Sequence, residues 1–228
     1  TVAIVTRPFS FEGERRRKNA IEGINALKEV VDAIIIVSND KLMMMNGTRP
    51  IGEAFAESDR VLAQSVKTIT DLIVVPGVIN LDFADVKATL QDKGLALIGF
   101  GTGSGPKKAN DAASSALLSP LLEASIHGAH SIIANVTCGN NVSLDEVKEA
   151  IDYITSAAGN TPNIIFGVQE NPELNDQMLI SIVATEFDND FDPFEEKAPL
   201  VNPLPTPQVE EEVEEDEEDS ILPEFLNK

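Results

Sequence analysis

Cysteine is almost missing from these 228 residues. Cys138 stands alone, so no intrachain disulfide can form, and a reducing cytoplasm is the expected setting. Long hydrophobic runs are missing too: none approaches the roughly 20 residues a spanning helix needs, which argues against direct membrane insertion. The first apolar run, Val2–Val5, ends at Thr6-Arg7-Pro8, so no signal peptide is expected. The chain opens on that run without an initiator Met, as a fold entered partway through would. Basic residues are scarce, 17 Lys and Arg against 38 Asp and Glu, and the net charge of −21 disfavours nucleic acid and anionic lipid as partners. His127 and His130 lie three apart with no cysteine or carboxylate at ligand spacing, so no metal site is expected. Cys138 has no adjacent base and reads as a small packed thiol. No Gly-x-Ser-x-Gly elbow or dinucleotide-binding glycine spacing occurs, which removes the common hydrolase and dehydrogenase readings.

What is present is 43% hydrophobic residues, enough for a sizeable core, and an uneven distribution of charge. From Asp188 to Lys228 there are 15 acidic residues against Lys197 and Lys228, a net of −13, leaving −8 for residues 1–187. Residues 188–219 carry five prolines and the run Glu210-Glu211-Glu212-Val213-Glu214-Glu215-Asp216-Glu217-Glu218-Asp219. Such a stretch cannot bury enough apolar surface to offset its ordering entropy and is expected to be a disordered linker. Apolar residues return in Ile221-Leu222-Pro223-Glu224-Phe225-Leu226, either a docking peptide on a tether or a plain unstructured end.

Short apolar runs at Val2–Val5, Ala33–Val37, Leu72–Val75, Leu95–Ile98, Ser131–Val136, Asn163–Val168 and Met178–Ala184 predict buried strands. Helical spacing joins Ile21, Ile24, Leu27 and Val31, then Leu144, Val147, Ile151 and Ile154. The longest helical pattern runs through Ile51, Phe55, Leu62, Val66, Ile69 and Ile73. Alternating strands and helices with continuously apolar strands indicate an α/β architecture. The expected organisation is a first-domain remnant at 1–50, then a central helix and its strand-like end at 51–75. A whole α/β domain at 76–187, the linker at 188–219 and the terminal peptide at 220–228 follow.

One corner concentrates polar chemistry. After Pro76-Gly77, the segment Asn80-Leu81-Asp82-Phe83-Ala84-Asp85 opens a helix and presents an amide and two carboxylates. Asp82 as an N-cap and Asp85 as a first-turn complement to the helix dipole is the plain reading. A second conspicuous segment, Gly99-Phe100-Gly101-Thr102-Gly103-Ser104-Gly105, is expected to be a glycine-rich turn rather than a phosphate site.

Several ordered segments together resemble the FtsZ family, the tubulin-like GTPases of the bacterial division ring. They are Thr6-Arg7-Pro8-Phe9-Ser10-Phe11-Glu12-Gly13 with Arg15-Arg16, Asn39-Asp40-Lys41-Leu42, Glu53-Ala54-Phe55, and Pro76-Gly77 with Asn80 to Lys87. Ser119-Pro120-Leu121-Leu122-Glu123, Asn163-Ile164-Ile165-Phe166-Gly167 and the terminal Leu222-Pro223-Glu224-Phe225-Leu226 continue the register. The resemblance covers residues 1–187 and the terminal peptide, and lacks the family's phosphate-binding glycine loops. It implies a tubulin/FtsZ-like fold, a partial Rossmann-like GTPase domain joined by a long central helix to a second α/β domain.

The resemblance also implies roles. Asn80, Asp82 and Asp85 become the synergy loop, which completes the GTPase site of the next subunit in a head-to-tail filament by polarising the attacking water. Glu12 and Arg16 become contacts to ribose and phosphate, Asn39 and Asp59 guanine readers, and Phe55 the ring against the base. The plain alternatives are a surface ion pair for Glu12 and Arg16, a turn for Asn39, core packing for Phe55 and a solvated position for Asp59. GTP or GDP with Mg²⁺ would be the ligands of the longer protein, and this chain alone is expected to be inactive. Ile221, Leu222, Pro223, Phe225 and Leu226 would bind membrane-tethering division adaptors at the mid-cell ring beneath the membrane. The competing function is a non-catalytic interaction module that only binds adaptors or caps filaments.

Overall fold

The computed structural model describes residues 1–46, 50–119, 121–122, 126–159 and 162–187. The linker at 188–219 and Ile221, Leu222, Pro223, Phe225 and Leu226 lie outside the described residues.

Six strands, β1 (Val2–Arg7), β2 (Ala33–Ser38), β3 (Gly94–Ser104), β4 (Ala129–Cys138), β5 (Asn163–Glu170) and β6 (Gln177–Phe187), form one sheet in the order β1-β2-β3-β6-β4-β5. The pairs β1–β2, β2–β3 and β4–β5 are parallel, while β6 runs antiparallel between β3 and β4. Every residue of β2 is buried, matching its unbroken Ala-Ile-Ile-Ile-Val run. The helices are α1 (Glu14–Lys28), α2 (Asn39–Asn46), α3 (Ile51–Val74), α4 (Phe83–Leu90), α5 (Lys108–Leu117) and α6 (Leu144–Ala158).

The period-2 alternation of the strands sorts the core into two clusters. On one face Ile132, Ala134, Val136, Ile180 and Ile182 pack with Ala112, Ala116, Val147 and Ile154 of α5 and α6. On the other, Ile35, Val37, Ile98, Ile133 and Val183 pack with Val61 and Leu72 of α3 and Val86 and Leu90 of α4. The N-terminal ends of α5 and α6 are tied by Lys108, whose buried ammonium meets Glu146 at 3.1 Å and Asp176 at 2.7 Å. Hydrogen bonds to Asp176 and Glu146 raise the lysine above its usual range. Among the described residues, no helix is long and apolar enough to cross a membrane.

The structure corrects three readings of the sequence. Leu72–Val75 forms no strand: α3 continues through Val74, because Leu72 extends the helical row that buries Val61, Ser65 and Thr68. The β-branched Ile73-Val74-Val75 mimicked a strand, and tertiary packing overrode that propensity. The buried face of α3 is also not the apolar row expected, since Ile51, Phe55, Val66 and Ile73 are exposed. Gly99–Ser104 is no turn but the second half of β3. Alternate glycines there admit α5: a Cβ on Gly101 or Gly103 would lie 2.1 Å from the Ala112 or Lys108 carbonyl oxygen. β1 and β2 pair into the same sheet as β3–β6.

Candidate functional site

The corner after α3 is built by a small set of contacts. Val78 and Ile79 donate to the Val168 carbonyl at 2.8 and 3.2 Å, and Val168 donates back to Ile79 at 3.0 Å, which pins the segment to the edge strand β5. Gly77 is required by close approach, since a Cβ there would sit 2.3 Å from the Val168 oxygen. Asn80 closes the turn on Gly77, its Oδ1 accepting from the Gly77 N–H at 2.6 Å and its Nδ2 donating to the Gly77 carbonyl at 3.1 Å. Asp82, in extended conformation, caps α4 by accepting the Asp85 N–H at 2.8 Å. The plain reading of Asp82 as a cap is therefore correct, and it leaves the functional one open. Asp82 and Asn80 are exposed and Asp85 half-buried. The Asp85 carboxylate makes no hydrogen bond or ion pair among the described residues. The corner thus holds an exposed and a half-buried carboxylate, and Val74, Val78 and Phe83 in the same stretch of chain are exposed.

The other expected residues gather at the C-terminal ends of β1 and β2, the end of parallel strands where α/β proteins bind ligands. Glu12 accepts the Phe9 N–H at 2.9 Å and pairs with Arg16. These two contacts, the backbone one foremost, hold its carboxyl below the usual range. Asn39, at the start of α2, is buried and its Oδ1 accepts the Ser58 hydroxyl of α3 at 2.8 Å. Phe55, one turn before Ser58, meets the buried Phe9 ring edge-on at 5.1 Å and keeps 41% of its surface exposed. Asp59 is exposed on α3. Phe9 thus links Glu12 and Arg16 to Phe55, and Ser58, one turn on, holds Asn39, whereas among the described residues Asp59 makes no hydrogen bond or ion pair with them.

Sequence reasoning missed the supporting residues Phe9, Ser58 and Asp40, the last accepting the Ser10 N–H at 2.9 Å. The signal available was the aromatic pair in Pro8-Phe9-Ser10-Phe11, whose rings stack at 5.1 Å. The two groups of expected residues do not meet. They occupy opposite ends of α3, and about 30 Å of helix separates Phe55 from Val74.

Two family models match the chain: the FtsZ family C-terminal domain over residues 94–188, and the Tubulin/FtsZ family GTPase domain over residues 1–47. The chain belongs to the tubulin/FtsZ family. FtsZ of M. jannaschii, solved as an empty dimer, is 38% identical with a TM-score of 0.77, over 81% of this chain and 54% of that one. A mutant of the same M. jannaschii protein gives 38% and 0.78, over 82% and 56%. CetZ1 from Haloferax volcanii, a GDP-bound monomer, is 16% identical with a TM-score of 0.64 over 82% and 56%, a likeness of fold alone. This FtsZ-like chain therefore spans slightly more than half the length of the FtsZ structures it matches.

The residues suit part of a nucleotide. The exposed part of the Phe55 ring, one helical turn from the Ser58 that bonds Asn39, can take a planar base, and Glu12 with Arg16 can meet a sugar and its phosphate. The space over Gly99, Gly101 and Gly103 of β3 is filled by the backbone of α5. Among the described residues, no group of three or more His, Cys, Asp or Glu side chains is placed to hold a metal ion, so none is assigned to Mg²⁺.

Proposed function

We propose that this chain is part of a GTP-hydrolysing, filament-forming cell-division protein, and that its Asn80–Asp85 loop completes the GTPase site of a neighbouring copy. The observation that carries the reading is the separation along α3. Base- and sugar-facing residues stand at one end and outward carboxylates at the other, too far apart to serve one centre within a molecule. A head-to-tail contact brings one copy's loop to the next copy's nucleotide, and a contact of that kind that does not close on itself makes a filament. Phosphoryl transfer needs a positioned water and compensated charge, and a carboxylate at the γ-phosphate orients that water.

Residues 1–50 then form the remnant of the nucleotide-binding domain, 51–75 the connecting helix, and 76–187 the domain bearing the loop. Asn39, Phe55 and Asp59 hold the guanine, and Glu12 and Arg16 the ribose and phosphate. GTP arrives with Mg²⁺ on its phosphates, and the isolated chain turns over nothing. The acidic tail delivers Ile221, Leu222, Pro223, Phe225 and Leu226 to membrane-tethering adaptors at the cytoplasmic face of the division ring. In the longer protein, Asp85→Ala should reduce GTP turnover by about 10²-fold or more while leaving GTP binding intact. Unchanged turnover in a folded variant would remove the loop from the chemistry.

A further inference from the structure

We propose that the groove between α5 and α6 is a docking site for a basic, amphipathic helix of a partner protein. The groove encloses about 610 Å³ on the face of the sheet away from α3 and α4. Its apolar surface comes from Leu117, Leu118, Ile126 and Tyr153, and Glu149 and Asp152 stand along the α6 side. Leu118 is 78% exposed and Tyr153 41%, so the apolar surface is open to a partner. The volume lies within the roughly 300–1,000 Å³ of sites that capture ligands.

Two observations fix the kind of occupant. Among the described residues that line the groove there is no Lys or Arg, and the charged ones are the carboxylates Glu149 and Asp152. The chain's own tail, with 15 acidic residues against two basic, carries charge of the same sign as that rim. A cationic partner is attracted, and an apolar helix stripe flanked by Lys or Arg satisfies both the floor and the rim. The groove is also preorganised. Asn110 of α5 donates to Glu149 of α6 at 2.5 Å, and Lys108 binds Glu146 just below. The two helices are thus fixed relative to each other before a ligand arrives, which lowers the cost of binding.

The test is calorimetric titration of the full chain with a synthetic helix of about 16 residues, long enough to hold helical structure when bound. The probe carries Leu at i, i+3, i+4 and i+7, and Lys on the flanks. Glu149→Lys with Asp152→Lys should weaken its binding about tenfold. Glu22→Lys with Glu29→Lys, the same charge change on exposed positions of α1 and its C-cap, should leave it unchanged. Leu118→Ser, on the opposite wall, should weaken it severalfold. Equal losses in the two charge variants, or no loss in either groove variant, would overturn the proposal. So would a change in the chain's self-association confined to the groove variants, which would give the groove to a second copy.

Discussion

Asp82 both caps α4 and presents a carboxylate, and two substitutions separate those duties. Asp82→Ala loses the bond to the Asp85 N–H and should cost about 1 kcal/mol in urea unfolding. Asp82→Asn keeps an acceptor at the cap and should match the parent stability to within about 0.5 kcal/mol. In the assembled longer protein, both should lose GTP turnover. Full turnover in the Asn variant would reduce Asp82 to a cap. At this scale the sequence was legible where a side chain bonds locally, as at Asp82 and at Glu12 with Arg16, three and four residues apart. It was silent where the partner is distant in sequence. Nothing near Asn39 announces Ser58, and nothing near Gly77 announces the Val168 carbonyl.

Between elements, the contact of β3 with α5 depends on glycine. Gly101→Ala places a methyl 2.1 Å from the Ala112 oxygen and 2.2 Å from the Ala116 nitrogen, both backbone atoms. The helix must move, at a cost of about 1–3 kcal/mol or more. Gly23→Ala on α1 meets nothing within 4 Å and should instead stabilise by about 0.5–1 kcal/mol. Thermal unfolding of the pair checks both signs. The glycine run was misread as a turn because composition signals backbone freedom and close packing alike. The same ambiguity hid the true face of α3: its sheet-facing row includes Ser58, Ser65 and Thr68, and small polar residues at a close helix–sheet contact carry no hydrophobic signal.

The Lys108 junction between α5 and α6 titrates predictably. The lysine holds the Asp176 carboxyl below its ordinary range, and the Ser143 N–H followed by Lys108 does the same for Glu146. Carboxyls with depressed folded values stabilise above their ordinary range, and that stability is lost as pH falls through the folded values. Lys108, raised, contributes below its ordinary 10.5 and loses its contribution as pH rises past its folded value. Lys108→Met should therefore be less stable at neutral pH and lose stability less steeply than the parent below about pH 4 in urea titrations. Parallel pH profiles would show that the junction is not coupled to folding.

For the whole molecule, family and α/β class were legible from the order of motifs and the alternating apolar runs, and the comparisons bear out both. The joining of β1 and β2 to the larger sheet was not legible, because strand pairing across 61 residues leaves no local trace. Under the proposed function, the Asn80–Asp85 loop at one end of α3 and Glu12, Arg16, Asn39 and Phe55 at the other would make catalysis a property of the junction between copies. Mixing two variants of the longer protein measures this most directly. One carries Asp85→Ala and an intact nucleotide site, the other Phe55→Ala with Asn39→Ala and an intact loop. Each alone should turn over GTP slowly, and the mixture should exceed the sum of the two, because an intact loop then meets an intact nucleotide site in neighbouring copies. A mixture whose rate equals that sum, with both variants shown to co-assemble, would contradict a shared site.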